Sequence, residues 1–474
     1  MRHLPVQTSL WDIYDGVSHS MEQHKPHLIA LLEKHIHFEL LIPPEFRWAY
    51  YSRMGRNPVY HLESILRAFV LQKILSIPTD SLLLSLLHCC KEFQDFCGFR
   101  KIPDASKLSR FREQYQDYLR AMFEHLVTLT EPICRKISKK LASCLIYDTS
   151  GIELPVKENN PKFFSAKLRQ ARRHANNNPA YDPYKGVYAL LPKASTTNPD
   201  ARNQYINGHF CYAAKFGVLT NALGICRHIE FFDDDFRQRH PEMQDGSSAD
   251  PDADKELGDS TSLEPVLSGF FRAHPGFSYK TFIGDAAFDS YKNYALLKNT
   301  FHFQQACIPL NARNTQNQDP CLDESGTPVC PADKRPFTYL GKCTGKNRST
   351  RYKWVCPESR KNGTSRICTC EHPCTASSYG RCVYTHQDGG FRACPGIPRD
   401  TDQWNQIYRH RVTVERTIFL FKDTFVLDAR KSHRTVSAKA DLYLAGIVQL
   451  IGVLLADALH KPGYIRSVRK LLAA

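Results

Sequence analysis

Short apolar runs of strand length, set between helical stretches, constrain this chain most. Ser143 to Tyr147, Phe210 to Leu219, Leu223 to Phe232, Tyr279 to Gly284 and His302 to Pro309 have strand-forming composition. Thr220-Asn221-Ala222, between the second and third, predicts a hairpin. Tyr291 to Asn299 reads as a helix lying between strands, and strands interleaved with helices predict an α/β layer. Residues 1 to 140 read as helical. Leu62, Ile65, Leu66, Phe69, Val70 and Ile74 recur at helical spacing, Pro78 stops that helix, and Thr79 to Ser81 offer a cap to a second over Leu82 to Cys90. A third starts after Pro103-Asp104 with Lys107, Arg110 and Arg112 beside the apolar Leu108, Phe111 and Tyr115. Three short helices with a basic last member suit a helix-turn-helix-like DNA module or an ordinary helical packing domain. Residues 157 to 205 and 233 to 262, rich in Asn, Pro, Gly, Ser and charge, read as long loops. The helical pattern resumes at Thr401. There, Leu442 to Ala456 is closely flanked by Asp441 and Asp457 and interrupted by Gln449, so it reads as a buried core helix, too short to span a bilayer.

Charge points to a partner. The 474 residues carry a formal net charge of +15, concentrated in three segments, 157 to 193, 331 to 366 and 408 to 439, while 232 to 259 is strongly acidic. One basic run is usually a solvated face; three in one chain favour nucleic acid, because phosphate contacts are made by such clusters. Within the second segment, Lys342, Lys346, Arg348, Arg351 and Lys353 are the expected DNA-backbone contacts. The N-terminus has no secretory apolar run, which places the chain in the cytoplasm with no membrane partner.

Three acids carry the candidate chemistry. Asp148 and Asp285 each end an apolar strand run and precede a small or hydroxyl residue. Carboxylates projected from neighbouring strand ends can converge on a hard divalent cation, although one Asp after a strand more often caps a turn. Glu415 supplies a third. Tyr408, Arg411, Glu415 and Lys422 are spaced 3, 4 and 7 apart, which on a continuous α-helix places them within an arc of about 60°. Val414, Ile418, Phe421 and Phe425 fall on an adjacent stripe that would seat the helix on the core.

The order Asp148, then Gly284-Asp285-Ala286-Ala287-Phe288-Asp289, then Tyr408-x2-Arg411-x3-Glu415-x6-Lys422 resembles the DDE transposases of bacterial insertion sequences that carry the Y-R-E-K signature. Upstream, Phe96-Cys97-Gly98-Phe99 and Pro103-Asp104-x-Ser106-x-Leu108-Ser109-Arg110-Phe111-Arg112 resemble the helical N-terminal region of many of these proteins. The resemblance implies an α/β chain: a helical N-terminal DNA-binding region over 1–140, a ribonuclease-H-like mixed-sheet core over 141–310, a basic cysteine-rich insertion over 311–400, and C-terminal core helices over 401–474. It implies that Asp148, Asp285 and Glu415 hold two Mg²⁺ ions, with Mn²⁺ as a substitute. It further implies that Tyr408, Arg411 and Lys422 act on DNA phosphates, and that the partner is double-stranded DNA, both element ends and target, bound by a homodimer in a bacterial nucleoid. Two metals about 3.5–4 Å apart can activate the attacking oxygen and neutralise the leaving one in phosphodiester cleavage and strand transfer. A DNA-binding descendant without catalysis, or a metal-dependent nuclease without strand transfer, are the rival readings. The intact acid triad speaks against the first.

Nine of the 17 cysteines lie in 311–400. Cys356, Cys368, Cys370, Cys374, Cys382 and Cys394, with His372 and His386 nearby, form a candidate structural Zn²⁺ set in a segment poor in apolar residues. The plain alternative is reduced cysteines in a loose loop, since the Cys-x-Cys-x3-Cys spacing is less specific than paired Cys-x2-Cys knuckles.

Overall fold

The computed structural model describes residues 27, 29–52, 58–178, 180–206, 209–241, 259–311, 322–323, 327–345, 348–363, 365–386, 392, 395–399, 401–429 and 432–473. In chain order the elements are α1 (Phe38–Leu41), α2 (Pro44–Tyr51), α3 (Leu62–Ile74), α4 (Asp80–Cys89), α5 (Lys91–Cys97), α6 (Ala105–Ile137), α7 (Lys139–Ala142), β1 (Cys144–Glu153), α8 (Pro161–Asn177), α9 (Pro183–Ala189), β2 (Arg202–Ile206), β3 (His209–Asn221), β4 (Cys226–Phe231), α10 (Asp234–Arg239) and α11 (Asp259–Ala273). They continue with β5 (Thr281–Ile283), α12 (Tyr291–Ala295), β6 (Gln305–Cys307), β7 (Thr338–Gly345), β8 (Arg348–Val355), β9 (Ser359–Asn362), β10 (Ser365–Cys368), β11 (Cys382–His386), α13 (Asp402–Tyr408), α14 (Val412–Phe419), α15 (Thr435–Ala458) and α16 (Val468–Ala473). The fold is mixed α/β with a helical N-terminal region. The chain forms two compact units, one of Met1–Lys139, Thr149–Glu256 and Glu415–Ala474, the other of Lys140–Asp148 and Leu257–Val414.

In the first unit the N-terminal helices start where the sequence offers caps. Thr79 Oγ1 accepts the Leu82 N–H at 3.2 Å to open α4, and Asp104 Oδ1 accepts the Lys107 N–H at 2.8 Å to open α6. Gly98, at φ 72°, ends α5 in the left-handed conformation that costs glycine nothing. The third helix differs from the short basic helix expected after Asp104: α6 runs 33 residues and packs along α15. Arg112 is buried, not presented to solvent. Its guanidinium lies 2.7 Å from Asp80 and 3.0 Å from Asp441, above the Phe69 ring, because a charge on the apolar side of α6 is tolerated only when paired. The core helix read at Leu442 to Ala456 is part of α15, which is buried along most of its length; it is the one helix among the described residues long and apolar enough to cross a membrane.

The predicted hairpin is present: β3 and β4 pair antiparallel with Val218 opposite Ile229, and β2 pairs antiparallel with the first half of β3. The segment 157–205 is not a long loop. Asn160 caps α8 through the Lys162 N–H, with Pro161 at the first helical position, and Asp182 and Pro183 open α9 in the same way; composition alone hid both helices. Within 233–262, α10 and the start of α11 are helical, and 242–258 lies outside the described residues.

In the second unit, the first half of β1 pairs in parallel with β5, and β5 in parallel with β6. Helix α11 packs beside α12, and Tyr147 donates or accepts a 2.7 Å hydrogen bond with Ser262 of α11. The cysteine-rich segment folds into a three-stranded antiparallel sheet, β7-β8-β11, and a hairpin, β9-β10. Its last stretch is anchored inside this unit: Arg392 grips Asp289 through two bonds of 2.8 and 2.7 Å, and Arg399 donates to Ile308 O and Tyr294 Oη.

The continuous α-helix assumed over 408–422 is interrupted. A 3₁₀ turn, Arg409–Arg411, joins α13 to α14, and a π-helical turn, Leu420–Thr424, follows α14. Three residues at the tighter 3₁₀ winding advance the arc by about 60° beyond the α count. The apolar stripe survives the interruption, with Val414, Ile418, Phe421 and Phe425 all buried.

Candidate active site

In the second unit Asp148 and Asp285 each follow the paired segment of neighbouring parallel strands. Ile146 of β1 pairs with Ile283 of β5; Asp148 follows two residues later within β1, which runs on to Glu153, and Asp285 two residues beyond the end of β5. Adjacent strands are about 4.8 Å apart, so the two acids follow backbones that run side by side up to Ile146 and Ile283. Apolar residues on both strands, Leu145, Ile146, Phe282 and Ile283, are fully buried and seat the paired strands in the core. Both aspartates are partly exposed, which keeps their oxygens accessible to a ligand. Asp285 also caps the turn Ala286–Phe288, with Oδ1 accepting the Ala287 N–H at 2.9 Å. Its Oδ2 lies 3.8 Å from an Arg411 terminal nitrogen, and the Arg411 side chain is about a quarter exposed. Tyr408, partly buried, stacks on Trp404 with ring centres 4.6 Å apart. Thus Asp148, Asp285, Tyr408 and Arg411 all belong to the second unit.

Glu415 and Lys422 belong to the first unit, which begins again at Glu415. Glu415 is exposed in the first turn of α14. Lys422 is buried in the π-helical turn, with Nζ 3.5 Å from Ser150 Oγ and 3.7 Å from Asp428.

The five basic residues expected on DNA do not share a face. Pairing across β7 and β8 sets Lys342 opposite Tyr352 and Lys353 opposite Gly341, so Lys342 shares the face of Tyr352, while Arg351 and Lys353 point the other way. Lys342 is exposed. The Arg351 guanidinium lies over the Tyr384 ring at 4.3 Å, and Lys353 donates to Tyr379 Oη at 3.1 Å. Arg348 begins β8, and Lys346 lies outside the described residues.

Among the candidate zinc residues, Cys356, Cys368 and Cys370 converge, with sulfurs within 4.8 Å of one another. Cys374 packs against a small buried cluster that includes Cys330, a thiol outside the six singled out from the sequence. Cys382 pairs with Val355 across β11 and β8, and Cys394 lies outside the described residues.

The sequence reading missed two features. Asp289 is buried and ion-paired to Arg392, which fixes the backbone just after Asp285; the two residues are about a hundred positions apart, so only pairing in space reveals them. The other is helix α8, whose Lys162, Arg169, Arg172 and Arg173 are exposed, near a cavity of about 450 Å³ with Phe164, Tyr188, Tyr205 and Phe210 among its lining. Its signal in the sequence was the Asn160-Pro161 cap.

No curated protein matches the chain. Residues 18–114 match the family model described as a transposase domain, DUF772, and that match supports a transposase, an enzyme acting on DNA.

Proposed function

We propose that the chain is a DNA transposase that cuts and rejoins DNA at the ends of an insertion sequence, with Asp148, Asp285 and Glu415 as its catalytic carboxylates. One observation carries this reading: Asp148 and Asp285 each stand two residues beyond a paired position, Ile146 and Ile283, of neighbouring parallel strands, with the Arg411 guanidinium 3.8 Å from Asp285. Strand connectivity supports a ribonuclease-H-like arrangement, with parallel β1, β5 and β6 in the second unit and the antiparallel hairpin β3–β4 in the first. Two partly exposed carboxylates, one within β1 and one just after β5, form a hard oxygen donor set suited to Mg²⁺ or Mn²⁺. Bound by these acids and Glu415, the metal ions would supply an activated oxygen nucleophile and neutralise the leaving oxygen.

The remaining work falls to the chain's own residues. Arg411, accessible beside Asp285, has the fork geometry to hold a phosphate of the strand being cut. Tyr408, already stacked on Trp404, is placed to hydrogen-bond the same backbone or stack on a displaced base. Lys422, the most enclosed of the set, acts as a point charge beside Ser150. Across the first unit, the exposed cations of α8 and the exposed Phe164, Tyr205 and Phe210 suit phosphate and base contacts.

The test uses the full chain and DNA carrying the sequences that flank its gene. The parent protein should nick the ends in Mg²⁺ and yield covalently joined products. Asp285→Asn and Glu415→Gln should each lose cleavage by roughly 10³-fold or more, the scale set by removing a reacting-centre group, while still shifting the DNA in a gel. Cleavage without joining would reduce the protein to a nuclease, and undiminished cleavage by either variant would overturn the assignment.

A further inference from the structure

We propose that the cysteine-rich segment binds one Zn²⁺ through four of the five thiols Cys330, Cys356, Cys368, Cys370 and Cys374, with Cys356 and Cys370 among the four. The sulfurs are gathered at metal-site spacing. Cys356 and Cys370 are 3.5 Å apart, and Cys368 lies within 4.8 Å of both. A disulfide would bring two sulfurs to about 2.05 Å, whereas tetrahedral ligands at about 2.3 Å from zinc stand about 3.8 Å from one another. Cys330 and Cys374 belong to the same small packed cluster as Cys356 and Cys370, which supplies the further thiols that a four-ligand site needs.

The surrounding backbone is shaped around these thiols. Gly380, at φ 88°, crosses so close that a Cβ there would meet the Cys368 Cβ at 3.2 Å and the Cys356 Cβ at 3.6 Å. The Cys368 N–H donates to Ser378 O and the Cys356 N–H to Arg381 O, drawing both cysteines against the far end of the loop that follows Cys370. That loop, 369–381, has no helix or strand. Its apolar support is slight: Phe337, Tyr352 and Trp354 with Tyr339 and Val383. A segment with so small a core gains its folding free energy from a structural metal, and binding releases the thiol protons as the thiolates take the ion.

The proposal is independent of the catalytic reading, because its readouts are metal content and thiol protection. The full chain, purified without chelator, should carry one zinc per chain by elemental analysis. Alkylation of the native protein followed by mass spectrometry should leave four of the five thiols protected and label Cys382. After chelation all should react, and Trp354, which packs in the same cluster, should change its fluorescence. Cys356→Ser and Cys370→Ser should each lose the zinc, and Cys343→Ser and Cys382→Ser should keep it. Should the serine variants fail to fold, Co²⁺ exchanged into the parent protein reports directly, through the visible spectrum of a tetrahedral thiolate site. Absence of zinc and of a cobalt spectrum, a Cys356–Cys370 disulfide in the purified chain, or full zinc retention in Cys370→Ser would each overturn the proposal.

Discussion

Asp285 and Asp289 are four residues apart and stand in opposite environments. Asp285 is partly exposed and faces Arg411 at 3.8 Å, beyond hydrogen-bond reach; Asp289 is fully buried and bound by the fork of Arg392. The first arrangement keeps the carboxylate within reach of solvent, and the second encloses it in protein. The two positions should therefore respond differently. Asp289→Asn leaves a buried guanidinium with its charge uncompensated and should destabilise the second unit by about 3–5 kcal/mol, measured by denaturant unfolding. Arg411→Ala removes a partly exposed cation from a long ion pair and should leave the unfolding midpoint nearly unchanged while impairing strand cleavage. Near-normal cleavage by that variant would make Arg411 only a balance for a neighbouring acid.

At the scale of elements, the α6–α15 packing is the clearest case of a sequence choice set by a neighbour. Gly446 sits inside α15, where glycine costs about 1 kcal/mol relative to alanine. A Cβ there would stand 2.7 Å from the Phe123 ring of α6, and overpacking a filled core costs about 1–3 kcal/mol. The clash outweighs the propensity gain, so Gly446→Ala should lower stability by roughly 1 kcal/mol, and adding Phe123→Leu should recover part of the loss; a Gly446→Ala protein more stable than the parent would show that Phe123 simply moves aside. In the insertion sheet, Lys342 on one face and Arg351 and Lys353 on the other divide the basic character of β7 and β8. If these residues contact DNA backbone, neutralising each one in contact should flatten the slope of log K against log salt by about 0.9, equally for every sequence tested. Since the two faces cannot lie on one strand of DNA together, Lys342→Gln and the double change Arg351→Gln with Lys353→Gln should differ in effect.

At the scale of the whole molecule, acid should act first on buried ion pairs of the first unit. Burial by itself raises the Glu230 carboxyl, but the His228 ring 3.3 Å away and the nearby Arg120 and Arg239 reverse that and hold it at about 2, against an ordinary value of 4.5. A carboxyl lowered on folding stabilises the protein above its unfolded value, and this contribution is lost as pH falls from about 4.5 toward 2. A difference of that size corresponds to about 3 kcal/mol. Stability should therefore hold above pH 5 and fall steeply below it, and Glu230→Gln should be less stable at neutral pH with a shallower fall in acid. Equal acid slopes in parent and variant would move the effect to other carboxylates.

The sequence by itself determined the elements whose signals are local. The hairpin β3–β4, the capped starts of α4 and α6, the presence of the strands β1 and β5, and the apolar stripe of Val414, Ile418, Phe421 and Phe425 all rest on side-chain periodicity and short-range capping; the strand ends were not legible, since β1 runs through Asp148 to Glu153 and β5 stops at Ile283. Where local composition pointed elsewhere, at the Asn- and Pro-rich stretch that holds α8 and α9, the same cap residues were present and were outweighed by their surroundings. Tertiary structure alone decided what depends on residues far apart in the chain. It placed Arg112 between Asp80 and Asp441, tied Arg392 to Asp289, paired Ile146 with Ile283 in the β1–β5 register, and packed Cys330 and Cys374 into one small cluster. It also wound the 409–411 segment as 3₁₀ and the 420–424 segment as π, so angular positions counted along an ideal α-helix did not carry across them. The physical reason is that periodicity records which face of an element is buried, whereas ion pairs, strand register and thiol clusters are fixed only when separate elements meet.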